Sequence, residues 1–157
     1  MRIGLGYDSH RFEPGRRLVL GGVEFPDEVG LKGHSDADVL IHAIIDALLG
    51  AAALGDIGSH YPDTDSRWRD ADSAKLLEAV VVEIHGAGFV IGNVDATVIC
   101  ERPKLRPKID AIRSRLGELL SIPVGRISVK GKTNEKMDDV GAGVGIEVHA
   151  VALLEEV

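Results

Sequence analysis

The segment from Asp38 to Leu54 constrains the fold more than any other part of the chain. Its sequence, DVLIHAIIDALLGAAAL, follows a helical pattern and is apolar on almost every side. Such a helix is stable in water only when other elements cover it, so the segment predicts a buried helix. Ser35 is expected to cap its N-terminus. The segment is too short to span a bilayer and contains His42 and Asp46, so we expect no membrane contact.

Shorter segments surround this helix. Helical patterns run from about Ser73 to Ile84 and from Pro107 to Leu120, and strand patterns cover residues 2–7, 17–20, 90–100, 126–131 and 144–154. We therefore expect one domain over residues 1–157, of the α+β class. Its helices should lie on one face of a two-layer sheet, in a ferredoxin-like βαβ arrangement.

Charge and cysteine content exclude some functions. The net charge is −7, from 18 basic and 25 acidic residues, which argues against a nucleic-acid partner. Cys100 is the only cysteine, so no internal disulfide is possible and a reducing cytoplasm is the simplest location. The N-terminus also lacks the pattern of a signal peptide.

The stretch GYDSHRF places a carboxylate and an imidazole on one side of a strand, because Asp8 and His10 alternate with Ser9. On the buried helix, His42 shares a face with Asp38 and Asp46. Two imidazoles and one carboxylate suit Zn²⁺ with an open fourth position, and either Asp38 or Asp46 is expected to orient the ring of His42. The residues alone leave two alternatives open, which are an exposed strand end and a hydrogen-bonded core histidine.

Three other segments carry weaker signals. His34 precedes the buried helix, where backbone N–H groups favour anions. KGKTNEK, residues 130–136, is either a phosphate and metal edge or an ordinary polar turn, and CERPKLRPK, residues 100–108, has the composition of a solvated loop. MDDVGAGVG, residues 137–145, lacks the Lys-Ser/Thr of a P-loop and is not interpreted as one.

These segments together resemble the 2-C-methyl-D-erythritol 2,4-cyclodiphosphate synthase family along the whole chain. The motifs that carry the resemblance are GYDSHRF, LKGHSDADVLIHAIIDALLGAAALGDIGSHYPDTD, GNVDATVICERPKLRPK and KTNE. The second of these is highly specific, whereas KTNE alone would be weak.

The resemblance implies a metal-dependent enzyme of non-mevalonate isoprenoid biosynthesis, a phosphorus–oxygen lyase that works as a homotrimer with shared active sites. A 2-phosphate attacks the β-phosphorus of a cytidine-diphosphate ester of methylerythritol, and CMP leaves. Asp8, His10 and His42 match the zinc ligands. His34 and Thr133 match groups that stabilise the transition state, and Glu135 matches a ligand of Mg²⁺ or Mn²⁺ at the diphosphate.

The resemblance also implies the substrate contacts. Ser35 and residues 61–65 would contact the methylerythritol phosphate, and residues 100–106 would wrap the cytosine. Asp56 would bind hydroxyls of the substrate, with Gly58 allowing close backbone approach. The full expected set is Asp8, His10, His34, Ser35, Asp56, Ile57, Gly58, Tyr61, Pro62, Asp63, Thr64, Asp65, Cys100, Glu101, Arg102, Pro103, Lys104, Leu105, Arg106, Lys132, Thr133, Asn134 and Glu135.

The chain departs from the family pattern in two places. Lys132 stands where relatives commonly have Thr, which adds a cation near the diphosphate. Asp139 and Ala142 stand where the family usually has Phe and Arg, residues that line a cavity on the trimer axis able to hold an isoprenoid diphosphate. Without the Arg, we expect an anionic ligand to bind poorly there.

Two other functions use the same residues. A zinc hydrolase would need a general base beside the metal, with Asp46 or Asp38 as candidates. A non-catalytic, metal-stabilised trimer would leave His34 and Thr133 without a role.

Overall fold

The computed structural model describes all residues from Met1 to Val157. The strands are β1 (Arg2–Arg11), β2 (Leu18–Leu20), β3 (Val23–Phe25), β4 (Phe89–Ile99), β5 (Ile127–Lys132) and β6 (Gly145–Glu156). The α-helices are α1 (Val39–Ala52), α2 (Ile57–His60), α3 (Ser73–Gly86), α4 (Ile109–Leu120) and α5 (Asp138–Gly141). The expected α+β class and the three long helices are confirmed.

The main sheet has the strand order β1-β6-β4-β5, in which β4 and β5 are parallel and the other neighbours antiparallel. Strands β2 and β3 form a separate antiparallel pair. Helix α1 packs on β1 and β6, while α3 packs on β4 and α4 on β5. None of the helices combines the length and the hydropathy that a bilayer-spanning helix needs.

The ferredoxin-like arrangement is not what the structure has. That arrangement follows the order β-α-β-β-α-β. The main-sheet strands and the long helices of this chain follow the order β-α-α-β-α-β-β. In the sheet, the last strand, β6, lies between β1 and β4. The β4–α4–β5 unit is the part of the expected βαβ pattern that is present.

Strand β1 lies unusually close to α1. Gly4 and Gly6 are buried against the helix, and a Cβ on either would overlap the carbonyl oxygens of Ala47 and Ala43 respectively. Two strand residues advance about 6.7 Å and four helix residues about 6 Å, so successive inward residues of β1 meet successive turns of α1. Continuing this match brings Asp8 and His10 to the first turn of the helix, where His42 lies.

The N-cap of α1 differs from the expectation. Asp38, not Ser35, caps the helix: its Oδ1 accepts the backbone N–H of Ile41 at 3.0 Å and that of Gly21 at 2.9 Å. Its Oδ2 accepts the N–H of Gly22 at 2.8 Å. Asp38 prevails because these tertiary hydrogen bonds satisfy a fully buried carboxylate, which ties the β2–β3 turn to the start of the helix.

The opposite face of the sheet is open and partly apolar. Ile3 and Leu5 alternate with the inward glycines of β1 and are 70% and 68% exposed. Tyr7 and, on β6, Val151 also belong to this face and are exposed. A monomer would leave these apolar side chains in water, which is unfavourable.

Candidate metal centre

Asp8, His10 and His42 converge on one point, as the family resemblance implies. Asp8 Oδ2 lies 2.9 Å from His10 Nε2 and 3.1 Å from His42 Nδ1, and the two ring nitrogens are 3.4 Å apart. Ligand atoms on a tetrahedral zinc ion with bonds near 2.05 Å are about 3.3 Å apart. The spacing of these three atoms therefore fits a zinc-sized ion. The alternative of an exposed strand end is excluded.

Hydrogen bonds to the far ring nitrogens orient both imidazoles. His10 Nδ1 lies 2.6 Å from the carbonyl oxygen of Lys32, which can only accept, so Nδ1 carries the proton. His42 Nε2 lies 2.8 Å from Ser73 Oγ, whose own proton goes to Asp36 Oδ1 at 2.5 Å. Ser73 is thus the acceptor for His42, and both rings present an unprotonated nitrogen to the centre. This arrangement is typical of metal-binding histidines.

The pKa values reflect the same grouping. Burial opposes ionisation of Asp8, but hydrogen bonds and charges of His10 and His42 outweigh it and lower its pKa to about 2. Burial lowers the pKa of His10. The hydrogen bond to Asp8 and the charge of Asp8 outweigh burial, so the pKa of His10 is raised overall. The centre thus holds an ionised carboxylate whose negative charge favours a cation.

Neither Asp38 nor Asp46 orients His42, which corrects the expectation. The carboxylate of Asp38 is occupied by three backbone N–H groups, and Asp46 Oδ1 accepts the N–H of Ile57 at 2.7 Å. The orienting groups are Ser73 and Ser35, whose Oγ lies 3.2 Å from His42 Nε2. Ser73 comes from the start of α3, 31 residues from His42, so no local sequence pattern points to it.

A cavity of about 400 Å³ opens beside the triad. Its lining includes nine of the expected site residues, namely His10, His34, Ser35, His42, Ile57, Gly58, Tyr61, Pro62 and Asp63. Trp68 and Leu76, which sequence reasoning did not select, also line it. His34 is fixed at its edge, because Nε2 lies 3.0 Å from the carbonyl oxygen of Asp65.

A second cavity, of about 760 Å³, collects most of the remaining expected residues. Its lining includes Cys100, Glu101, Pro103, Lys104, Leu105, Arg106, Lys132 and Thr133. The interpretation of residues 100–108 as a plain solvated loop is therefore incomplete, since they form a cavity wall. Burial, with Glu101 and Glu28 nearby, raises the pKa of the Cys100 thiol to about 11. No residue lines both cavities.

The turn after β5 is tightly held. Glu135 and Lys136 both have left-handed backbone conformations, with φ of 51° and 60°, which cost about 1 kcal/mol each. The Glu101 carboxylate accepts the N–H groups of Asn134 at 3.0 Å and of Lys136 at 3.4 Å. Thr133 Oγ1 lies 3.5 Å from Glu135 Oε1. Glu101 thus braces the turn that carries Thr133 and Glu135.

The other expected residues line neither cavity. Asp56 caps α2 in a capping box with Ser59, and Asp65 pairs with Arg67 at 2.6 Å. The Arg102 guanidinium lies over the Phe12 ring at 5.8 Å, and Thr64 is exposed.

Comparisons with known proteins show which proteins this chain is similar to. The YgbB family profile matches residues 1–155. A 2-C-methyl-D-erythritol 2,4-cyclodiphosphate synthase of Brachyspira hyodysenteriae is 54% identical over 156 residues, covering 99% of each chain. A solved synthase with CDP bound has a TM-score of 0.90 at 40% identity, covering 98% of this chain and 100% of that one. The bifunctional IspDF of Campylobacter jejuni has a TM-score of 0.96 at 40% identity over 99% of this chain, which spans 42% of that protein.

Proposed function

This chain belongs to the YgbB family, and we propose that it is a 2-C-methyl-D-erythritol 2,4-cyclodiphosphate synthase of isoprenoid biosynthesis. The observation that carries the proposal is the convergence of Asp8, His10 and His42 beside a cavity lined by family-matched residues. As such a synthase, the protein would be a phosphorus–oxygen lyase.

The reaction is an internal phosphoryl transfer. An oxygen of the 2-phosphate of 4-diphosphocytidyl-2-C-methyl-D-erythritol 2-phosphate forms a bond to the β-phosphorus, and the bond from that phosphorus to the bridging oxygen of CMP breaks. No water is consumed, and CMP carries away the electron pair. Such a step depends mainly on positioning and charge neutralisation.

Asp8, His10 and His42 would hold a zinc ion, since two neutral imidazoles and one carboxylate with an open fourth position are a typical catalytic zinc set. Bound there, zinc would polarise a phosphoryl oxygen. Glu135 would hold Mg²⁺ or Mn²⁺ at the diphosphate, because divalent ions with phosphates prefer carboxylate oxygens.

Thr133 would donate a hydrogen bond to an oxygen of the transferred phosphoryl group. His34 would do so from Nδ1, with both ring nitrogens protonated, because Nε2–H is donated to the Asp65 carbonyl. The cavity around Tyr61 and Pro62 would take the methylerythritol phosphate. The cavity from Cys100 to Arg106 would take the cytidine, with Lys104 and Lys132 supplying positive charge to the phosphates. Asp56, Asp65, Arg102 and Asn134 would act mainly through the loops they hold.

A homotrimer with shared active sites explains two features at once. The metal cavity and the Cys100–Thr133 cavity share no lining residue within one chain, as expected when the two halves of a site come from neighbouring subunits. The open sheet face, with Ile3 and Leu5 mostly exposed, offers an apolar surface for the partners. Residues 1–157 would form one domain of the trimer, located in the cytoplasm.

The hydrolase alternative is less well supported by its two candidate bases. Asp38 is fully buried under three N–H groups, and Asp46 Oδ1 already accepts the N–H of Ile57. In ¹⁸O-labelled water, a hydrolase would incorporate label into its product and a synthase would not. A non-catalytic trimer predicts that His34→Ala and Thr133→Ala are silent, whereas the synthase predicts large losses of kcat.

The deciding experiment is ³¹P NMR of purified protein with the cytidine-diphosphate substrate, with and without chelator. We expect cyclic diphosphate and CMP, lost with chelator and restored by Zn²⁺ and Mg²⁺. An unchanged substrate spectrum with metal-loaded, trimeric protein would reject the proposal.

A further inference from the structure

The indole nitrogen of Trp68 is the one buried side-chain nitrogen or oxygen that has no hydrogen-bond partner. Trp68 ends a short 3₁₀ turn, Ser66–Trp68, and its ring packs partly against the core. Buried N–H groups are almost always paired, since losing water without gaining a partner costs free energy. An isolated exception of this kind needs an explanation.

The position of Trp68 suggests one. Its ring lines the metal cavity and stands edge-on to Tyr61, with ring centroids 4.9 Å apart and planes at 80°. The backbone around it is fixed to His34 on both sides: the carbonyl oxygen of Asp65 lies 3.0 Å from His34 Nε2, and Asp70 N–H donates to the His34 carbonyl at 2.8 Å. The 3₁₀ turn that carries the indole is therefore tied to His34, which lines the same cavity.

The backbone groups of Trp68 are already satisfied. Trp68 N–H donates to the carbonyl of Asp65 at 3.1 Å, and the Trp68 carbonyl accepts from Ala71 at 3.2 Å. The unused group is thus the indole N–H alone. Because indole nitrogen is only a donor, its missing partner must be an acceptor. In a cavity that takes a phosphorylated polyol, hydroxyl and phosphate oxygens are the acceptors that arrive with the ligand.

We propose that Trp68 Nε1–H is a ligand-positioning donor, which pairs with an oxygen of the methylerythritol moiety when that moiety enters the metal cavity. The inference rests on the proposed function and adds a residue to it. The hydrogen bond is made only in the complex, so it contributes to ligand affinity and orientation and not to folding. Trp68 is a positioning residue here and takes no part in bond making.

The chain offers a direct spectroscopic test, because Trp68 is its only tryptophan. The ¹H–¹⁵N spectrum of the zinc-loaded protein should contain a single indole N–H signal. We expect this signal to move downfield and to exchange more slowly with solvent when the cyclic diphosphate product is added. CMP alone, which lacks the methylerythritol moiety, should leave it in place.

The matched variant is Trp68→Phe, which keeps an aromatic ring and removes the N–H. We expect the product to bind about tenfold more weakly, in line with the loss of one hydrogen bond, while zinc content and thermal stability are kept. Trp68→Leu, which removes the ring as well, should weaken binding further and also lower the melting temperature.

Two results would overturn the inference while the proposed function stands. In a wild-type protein that forms cyclic product, an indole signal unmoved by that product would show that the N–H has no ligand partner. A Trp68→Phe variant with wild-type affinity and a lowered melting temperature would show that the N–H is structural, for example a donor to the Tyr61 ring. If the wild type forms no cyclic product, the proposed function fails, and this inference fails with it.

Discussion

Ser73 Oγ lies 2.8 Å from His42 Nε2, and it accepts the ring proton because its own hydrogen is donated to Asp36. This contact joins the start of α3 to a ring on α1 and fixes which nitrogen of His42 faces the candidate metal centre. The orientation of a ligand thus depends on a residue 31 positions away.

Ser73→Ala should weaken zinc binding by about 10- to 100-fold, because the tautomer and the ring angle of His42 would no longer be fixed. Competition with a chromophoric chelator measures this directly. The exposed Ser114→Ala, on α4, is the matched control and should bind zinc normally. Equal affinities in the two variants would show that Ser73 does not orient the ligand.

Zinc affinity should fall as the pH is lowered. The pKa of His10 is raised above its ordinary value of 6.5, so below that raised pKa a proton occupies the nitrogen that the metal needs. We expect about a tenfold loss of affinity per pH unit in this range. The stability of the metal-free fold has the opposite pH dependence. The Asp8–His10 pair contributes fully to stability below the pKa that His10 has in the unfolded chain, and this contribution is lost as the pH rises through the pKa of His10 in the folded protein. Chelator competition from pH 8 to pH 5 measures the zinc affinity. An affinity that does not change over this range would contradict the prediction.

Gly6→Ala should destabilise the fold by at least about 3 kcal/mol, because the new methyl group would overlap the carbonyl of Ala43 and push β1 away from α1. Zinc affinity should fall too, since Asp8 and His10 follow on the same strand. Gly50→Ala is a fair comparison, because a Cβ there meets nothing within 4 Å. It should raise stability by about 0.5–1 kcal/mol. Urea unfolding measures the free energy of unfolding of both variants. Similar free energies would contradict the close approach of β1 to α1.

Ala142→Arg should raise the affinity for an isoprenoid diphosphate by about tenfold or more, because it adds a cation for the anionic head group. Ala142 follows α5 and is exposed in the chain. Ala142→Gln supplies similar length without charge and should bind as weakly as the wild type. Titrating the three proteins with an isoprenoid diphosphate measures the affinities. Equal affinities for the wild type and Ala142→Arg would contradict the expected role of the added charge.

Local patterns predicted what depends on local spacing. The alternation at Asp8 and His10, the burial of α1 and the extent of α3 all follow from periodicity, and the meeting of β1 with α1 was predicted by resemblance. The cap of α1 could not be predicted, because Ser35 and Asp38 are both good caps and tertiary bonds from Gly21 and Gly22 decide between them.

Contacts between distant segments were beyond sequence reasoning. Ser73 has no pattern that links it to His42, and Glu101 meets the 133–136 turn only because β4 and β5 are neighbours. The short strand β3 was missed because it is only three residues long and is followed by Pro26 in a loop-like stretch. The sheet order was missed because periodicity carries no information about which strands pair.

The placement of β6 has a consequence for how the protein matures. Strand β1 has β6 as its only neighbour in the sheet, although 133 residues separate Arg11 from Gly145. During synthesis, β1 must therefore wait with its backbone unpaired until β6 has left the ribosome. The aspartate and histidine that it carries cannot be held in ligand geometry before then, so metal loading should follow the synthesis of β6.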